Sequence, residues 1–279
     1  MLKVLKAGFY TTLQDLGRFG YRDKGVPVSG VMDIIVVRAA NGLLENEDTA
    51  SVLEITMTGP TLEFESDTYI AMTGAEMSAT LNNESISNYK VYKVNAGDIL
   101  SYGRLTKGFR GYLAVKDGFK SKEVLGSRSQ YYPITLSSCL KDRAEVAYDE
   151  VSNFEPKMQQ IKLQSFLEET VLEVSKGPEY GLLEQDHLNM LFFKEFSVAK
   201  DYNRMGYQFE EKIKGHKISM LTSATLPGTV QLTPSGKLIV LMKDGQTTGG
   251  YPRILQLSDT GISILAQKKF GDNVSLKLV

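Results

Sequence analysis

The most constraining feature of this 279-residue sequence is a series of short apolar runs between Leu53 and Val115. β-Branched and aromatic residues are frequent in these runs, and each run is too short for a stable helix. Turn-forming pairs such as Asn82-Asn83 and Gly97-Asp98 separate them. The predicted strands are Glu54 to Met57, Leu62 to Phe64, Tyr69 to Met72, Met77 to Leu81, Tyr89 to Val94, Ile99 to Tyr102 and Arg110 to Val115. This spacing predicts an antiparallel barrel or sandwich, because parallel strands would need long crossovers.

One helix is predicted before this series, after a first strand at Lys3 to Leu5. Its apolar stripe consists of Met32, Val36, Ala39, Ala40 and Leu43. Ser29 is the predicted N-cap region, and the helix is expected to end near Leu44. Asp33 would lie in the first turn, where the helix dipole favours a carboxylate. A structural role for Asp33 therefore stands beside a role in a site.

A polar segment rich in glycine extends from Thr11 to Gly30 and is predicted to be a long ordered loop. Long loops inside compact domains are usually functional. This one presents Gln14, Asp15 and Arg18 next to glycines. The alternative is an Ω-loop that is only structural.

A second polar stretch, from Asp244 to Pro252, follows the apolar run Leu238 to Met242, which is predicted to be a buried strand. Two adjacent glycines would allow a ligand to approach the backbone closely. Gln246, Thr247, Thr248 and Tyr251 add donors and acceptors that carry no fixed charge. The stretch therefore predicts a loop that binds a polar or anionic small molecule, although a plain polar turn leading into the next strand has the same composition.

These stretches resemble the signatures of the biotin-dependent carboxyltransferase family. This family includes allophanate hydrolase subunit 2, the urea carboxylase transferase domain and the C-type subunit of 5-oxoprolinase. The resemblance extends in order along nearly the whole chain. It is carried by Thr11 to Arg18, Gly25 to Asp33, Ala40-Asn41, Leu53-Glu54, Gly59-Pro60, Thr73 to Ala75, Gly97-Asp98, Gly126 to Ser129, Asn203 to Tyr207, Pro227 to Gln231 and Asp244 to Pro252.

The resemblance implies a mainly β fold with a few helices, arranged as two cyclophilin-like β-barrel lobes. Together with the residue chemistry it predicts two groups of site residues. The catalytic candidates are Gln14, Asp15, Arg18, Arg204, Gln231 and Asp244. The substrate-binding candidates are Ser29, Asp33, Asn41, Arg128, Ser129, Gln246, Thr247, Thr248 and Tyr251. For Arg204, a salt bridge at the surface is the alternative.

The chain departs from the family pattern between residues 117 and 143. Asp117-Gly118 replaces a pair of glycines, and Gln130 and Tyr131-Tyr132 follow Ser129 in place of small residues. Ser137-Ser138 and Lys141 to Arg143 also stand where the family carries glycines. A glycine reaches positive φ without strain, so these replacements test the backbone shape there.

Composition excludes several other classes of protein. The chain has 32 basic and 33 acidic residues, so no net field attracts nucleic acid or a membrane surface. No apolar stretch approaches the length of a membrane span, and a cytoplasmic protein is expected. Cys139 is the single cysteine, and the two histidines, His187 and His216, do not form a metal motif. No metal is predicted.

The predicted domain organisation places an N-terminal β-barrel lobe with the signature loop at residues 1–150. A linker follows at 151–170, and a C-terminal β-rich lobe at 171–279. The linker prediction rests on the polar, mixed-charge composition from Asp149 to Thr170. In the second lobe, Gly177-Pro178 is predicted to start a helical segment with Leu182, Leu183, Leu188, Leu191 and Phe192 as core positions.

The resemblance leaves three functions open. The first is the C-type subunit of a bacterial ATP-dependent 5-oxoprolinase, which cleaves 5-oxoproline to L-glutamate with an A-type subunit and a B-type subunit that resembles the kinase-inhibitor family. The second is a carboxyltransferase subunit that acts on urea or a related amide with biotin. The third is a non-enzymatic antagonist that binds a kinase-inhibitor protein. The sequence has no phosphate-cradling Gly-Lys-Ser/Thr loop, so ATP is expected to act through the complex, and the isolated chain is expected to be inactive.

Overall fold

The computed structural model describes residues 1–162 and 166–279. These residues form two compact units. Unit one contains Met1–Arg18 and Ser29–Glu168, and unit two contains Phe19–Val28 and Glu169–Val279. Part of the predicted linker, residues 163–165, lies outside the described residues. The described remainder of 151–168 belongs to unit one.

Unit one is built from two sheets and one helix. Its strands are β1 (Leu2–Lys6), β2 (Tyr10–Gln14), β3 (Val52–Thr56), β4 (Thr61–Phe64), β5 (Thr68–Glu76), β6 (Thr80–Leu81), β7 (Glu84–Ser85), β8 (Val91–Val94), β9 (Ile99–Ser101), β10 (Lys107–Val115) and β11 (Glu145–Val146); helix α1 is Ile34–Leu43. The strand order is β11-β1-β4-β9-β6-β7 in the first sheet and β2-β3-β10-β5-β8 in the second. Each strand predicted between Leu53 and Val115 overlaps one of these strands.

The core of unit one lies between the two sheets. Apolar side chains from the first sheet, such as Leu62 and Phe64, form one cluster with Ile55 and Met72 of the second. The opposite face of the second sheet packs against α1, where Val36 and Ala40 contact a cluster that includes Ala114. The predicted helical stripe is therefore confirmed as the buried face of α1.

Two predictions in this part of the chain were wrong in detail. Asp33, not Ser29, is the N-cap of α1, and its Oδ1 accepts a hydrogen bond from the Val36 amide at 3.4 Å. The predicted loop from Thr11 to Gly30 begins with strand β2, which pairs with β3 from Tyr10 opposite Thr56 to Gln14 opposite Val52. Polar residues hid this strand from a hydrophobic pattern, because the tertiary pairing and not side-chain polarity determines it.

Unit two contains a closed barrel. Its strands are β12 (Val171–Lys176), β13 (Glu195–Tyr202), β14 (Gly206–Phe209), β15 (Ser223–Ala224), β16 (Thr229–Leu232), β17 (Leu238–Leu241), β18 (Thr248–Gly249), β19 (Arg253–Leu257) and β20 (Asn273–Leu278). The barrel order is β12-β19-β16-β17-β14-β13-β20, closed by the parallel pair β12 and β20, while β15 and β18 form a small ribbon. The predicted mainly β class and a barrel lobe are thus confirmed.

Helices α2 (Gln185–Phe192) and α3 (Asp259–Ala266) pack on this barrel, with α2 against β20 and α3 against β12 and β19. The helix predicted to start at Gly177-Pro178 starts later, and of its five proposed core positions only Leu191 is buried. Leu182 lies before α2 and is 55% exposed. Gly177 is required for another reason: a Cβ there would lie 2.1 Å from the Arg253 carbonyl oxygen.

Candidate functional site

Asp15, in unit one, gathers the motif Ser127-Arg128-Ser129 around its carboxylate. The hydroxyls of Ser127 and Ser129 each donate to Asp15 Oδ1 at 2.6 Å. The Arg128 amide donates to Oδ2 at 2.5 Å, and the Gly17 amide donates to Oδ1 at 2.8 Å. The Asp15 amide in turn donates to Ser129 Oγ at 3.0 Å. The structure therefore joins two sequence motifs that lie more than a hundred residues apart.

Arg18 is fully buried and holds the same segment through its backbone. Its Nε donates to the Val124 carbonyl at 3.2 Å, and a terminal nitrogen donates to the Ser129 carbonyl. Gln14 is also buried, and its Nε2 donates to Thr12 Oγ1 and to the Gln130 carbonyl. The predicted roles of these residues in catalysis stay predictions.

A tight hairpin turn presents the Ser127-Arg128-Ser129 motif. Val124 and Ser127 exchange both backbone hydrogen bonds across Leu125 and Gly126, which have φ of 56° and 72°. Two successive positive φ values define the turn type that best matches strand twist. The Arg128 side chain turns outward from Asp15, donating to the Ser121 carbonyl with Glu123 at 3.8 Å.

The departures from the family pattern retain a left-handed backbone at two positions. Asp117 has φ of 61° and Arg143 has φ of 64°, both in the region that glycine adopts most easily. Asp117 is held by its amide, which donates to Asn46 Oδ1 at 2.7 Å. Neighbouring contacts thus support the strained conformation in place of glycine.

Ser29 and Asp33 border the same part of unit one. Ser29 is fully buried with φ of 57°, and its hydroxyl has no hydrogen-bond partner among the described residues. The next residue must be glycine, because a Cβ at Gly30 would lie 2.7 Å from the Leu16 carbonyl carbon. Asn41 lies farther along α1 and donates to the Ala50 carbonyl, so its visible contacts hold the loop after the helix.

Sequence reasoning missed a buried polar cluster beneath the start of α1. Glu54 Oε2 accepts from the Met32 amide at 2.8 Å and from the Tyr112 hydroxyl at 3.0 Å. The Tyr112 oxygen accepts from the Asp33 amide at 2.9 Å, and Arg110 Nε lies 3.8 Å from Glu54 Oε1. Burial, reinforced by the Glu54 carboxylate, raises the pKa of Tyr112 well above 10.0. A charged residue inside a fully buried strand was the available signal.

In unit two, Arg204 and Asp244 form a buried two-point ion pair. Arg204 Nε lies 2.8 Å from Asp244 Oδ2, and another guanidinium nitrogen lies 3.1 Å from Oδ1. The Asp244 amide also donates to the Arg204 carbonyl at 2.8 Å. The surface salt bridge considered for Arg204 is therefore wrong as to its burial, since both side chains are less than a tenth exposed.

The stretch from Asp244 to Pro252 folds beside this pair and contains β18. The Thr225 hydroxyl donates to the Gln246 carbonyl at 2.5 Å, and the Thr225 amide donates to the Thr247 carbonyl at 3.0 Å. Thr248 is exposed, and Tyr251 is 41% exposed. Gln231, on β16, is buried against Gly249. The stretch is thus an ordered segment anchored by its backbone, with polar side chains at its surface.

The predicted site residues form one group in each unit. Unit one brings together Gln14, Asp15, Arg18, Ser29, Arg128 and Ser129, and unit two brings together Arg204, Gln231, Asp244, Gln246, Thr247 and Thr248. The prediction that the two groups serve one cleft stays a prediction. Within residues 1–162 and 166–279, no three His, Cys, Asp or Glu side chains are placed to hold a metal ion. No helix in the same ranges is long and apolar enough to cross a membrane.

Fold and sequence together define the class of this protein. Residues 24–278 match the family model described as carboxyltransferase domain, subdomain A and B, and the chain belongs to this family. It is 33% identical to the C-type subunit of 5-oxoprolinase of Haemophilus influenzae, over 100% of this chain and 91% of the relative. It is 34% identical to the Escherichia coli protein of the same name, over 98% of this chain and 90% of the relative.

A solved structure supports the same assignment. The crystal structure of the K. lactis urea amidolyase superimposes with a TM-score of 0.88 and 28% identity, over 99% of this chain. This chain spans 18% of the length of that chain. The family resemblance found in the sequence is therefore confirmed along nearly all of the chain.

Proposed function

We propose that this chain is the C-type subunit of a bacterial ATP-dependent 5-oxoprolinase, which cleaves 5-oxoproline to L-glutamate together with partner subunits. The observation that carries the proposal is the similarity to two proteins named as C-type subunits of 5-oxoprolinase, over nearly the full length of this chain and of both relatives. The closed barrel and the two groups of polar residues are the parts of the fold that would serve this function.

The chemistry of opening a lactam is compatible with the residues of this chain. Hydrolysis of a stable cyclic amide places negative charge on its carbonyl oxygen, and oriented donors stabilise that charge. The candidates are the amides of Gln231 and Gln246 in unit two and the backbone amides near Ser127 to Ser129 in unit one. Donors of this kind can orient the lactam while a partner subunit supplies the activating group.

ATP fits the complex better than it fits this chain alone. A triphosphate needs several available cations or a cradle of backbone amides. Arg18 is fully buried against backbone carbonyls, and Arg204 is bound at two points by Asp244. We therefore assign ATP binding to an A-type or B-type partner subunit and expect the isolated chain to be inactive.

A second function is a carboxyltransferase subunit that acts on urea or a related amide, with biotin as the carrier of the carboxyl group. The structural similarity to the K. lactis urea amidolyase favours this alternative. It places less weight on the full-length sequence similarity, which points to a 5-oxoprolinase.

Reconstitution separates these functions. The purified chain is mixed with its A-type and B-type partners, 5-oxoproline and ATP, and release of glutamate is measured. We expect glutamate only when all three proteins and ATP are present. Glutamate release that continues when this chain is omitted, or robust hydrolysis by this chain alone, would contradict the proposal. Transfer of carboxyl from carboxybiotin to urea, without glutamate release, would support the alternative.

A further inference from the structure

One buried amide in unit two is left without a partner by the protein itself. Gln231 is 1% exposed, and its Nε2 forms no hydrogen bond with any described residue. The residues on either side, Val230 and Leu232, are fully buried in the barrel. A buried donor that remains unsatisfied destabilises a fold by about 1 to 3 kcal/mol. Core packing therefore does not explain a glutamine at this position.

A second amide converges on the same point from the signature stretch. If Gly249 had a Cβ, that atom would lie 2.4 Å from Gln231 Nε2 and 2.8 Å from Gln246 Nε2. Any other residue at 249 would push both amides aside. The glycine is thus matched to the two glutamines, and its backbone φ does not need the left-handed region.

Gln246 connects this point to a cavity of about 250 Å³ in the same unit. Amide groups of Asn203 and Gln208 line the cavity together with the apolar side chains of Ile239 and Leu241. Asp201 contributes a carboxylate to the lining. The nearby guanidinium of Arg204 is bound at two points by Asp244. These surroundings favour a small neutral polar ligand over an anion.

From this geometry we infer that Gln231 and Gln246 form a subsite for the N–H and C=O edge of a neutral cis amide, as in a lactam ring or a cyclic urea. A primary amide offers one donor and one acceptor side by side, which matches a cis amide at two points. The inference deepens the proposed function and rests on it only for the identity of the natural ligand. The carboxylate of 5-oxoproline would then be bound by other groups.

Ligand-observed NMR on the full chain tests the chemistry of the subsite. The probes are pyrrolidinone, which is a lactam, ethyleneurea, which is a cyclic urea, and γ-butyrolactone, which has the lactam shape but lacks the N–H. We expect pyrrolidinone or ethyleneurea to bind about tenfold or more tightly than γ-butyrolactone, since a lost hydrogen bond leaves a buried group unpaired. Equal binding of the lactone, or no binding of either amide, would overturn the inference.

Substitutions assign the binding to these residues. Gln231→Met keeps the shape and removes the amide, so we expect an unchanged or higher melting temperature with about tenfold weaker pyrrolidinone binding. Gln185→Met, the same change on the exposed face of α2, is the matched control and should bind normally. Gly249→Ala is the second variant: its Cβ displaces both amides and should weaken binding even if Gln231→Met fails to fold. Full binding by Gly249→Ala or by a folded Gln231→Met would refute the subsite.

The same variants separate this inference from the proposed function. If the reconstituted complex releases glutamate and Gln231→Met leaves both lactam binding and KM unchanged, the subsite is wrong and the function stands. If pyrrolidinone binding depends on Gln231 but no mixture releases glutamate, the subsite stands and the function is wrong.

Discussion

At the scale of single residues, Asp15 and Arg18 hold one segment of unit one from opposite directions. Asp15 accepts hydrogen bonds from Ser127, Arg128 and Ser129, whereas Arg18 donates to the carbonyls of Val124 and Ser129. A charged group that is fully buried needs such partners, because desolvation without them is very unfavourable. The contacts of Arg18 therefore point first to a role in fixing this turn.

Arg18→Lys is predicted to lower the free energy of unfolding by about 2 kcal/mol, because an ammonium cannot reach both carbonyls. Arg104→Lys, at an exposed position, is the matched control and should unfold normally. Melting temperature and reconstituted activity are measured together. Normal melting with lost activity would instead support the anion-binding role predicted from the sequence.

At the scale of elements, a carboxylate and a guanidinium anchor the start of β19, directly after the signature stretch. Glu179 Oε2 accepts from the Arg253 amide and from its Nε, both at 2.9 Å, and Oε1 accepts from a terminal nitrogen at 2.7 Å. Both side chains are less than a fifth exposed. The hydrogen bonds from Arg253 lower the pKa of Glu179 below its ordinary value of 4.5. The pair thus fixes where the signature stretch ends.

The pH dependence of stability follows from this lowered pKa. Glu179 binds a proton less readily in the folded chain than in the unfolded one, so its contribution is complete above pH 4.5 and is lost as the pH falls further. Glu179→Gln should lower the unfolding free energy by about 1 to 2 kcal/mol at neutral pH and make it less steep below pH 4.5. Glu210→Gln is the exposed control. Parallel acid profiles of the wild type and Glu179→Gln, from urea unfolding, would contradict this.

At the scale of the whole molecule, the chain contributes to unit two from two separate places. Phe19–Val28 belongs to unit two although the residues on both sides of it belong to unit one. Arg22 fixes this segment by donating to the Thr225 carbonyl, next to the signature stretch. The early segment is therefore part of the structure that surrounds the signature stretch, although more than two hundred residues separate them in the chain.

Arg22→Gln is predicted to increase hydrogen exchange in the segment Ser223 to Leu226, because the carbonyl of Thr225 loses its partner. Exchange in α1 should not change. Arg38→Gln, which removes an exposed ion pair with Asp48 in unit one, is the control and should leave Ser223 to Leu226 unaffected. Unchanged exchange in that segment of Arg22→Gln, by mass spectrometry, would show that the contact does not anchor it.

The sequence by itself determined the mainly β class, the strands between Leu53 and Val115, the helix ending at Leu43 and the family. These are local patterns or ordered motifs, and both survive without knowledge of distant contacts. Only the tertiary structure revealed β2, whose Thr and Gln side chains carry no apolar pattern and whose form depends on pairing with β3. It also decided which polar residues meet: Asp15 with Ser129, Glu54 with Tyr112, and Gln231 with Gly249. Such pairs join residues far apart in the chain, so no local pattern specifies them.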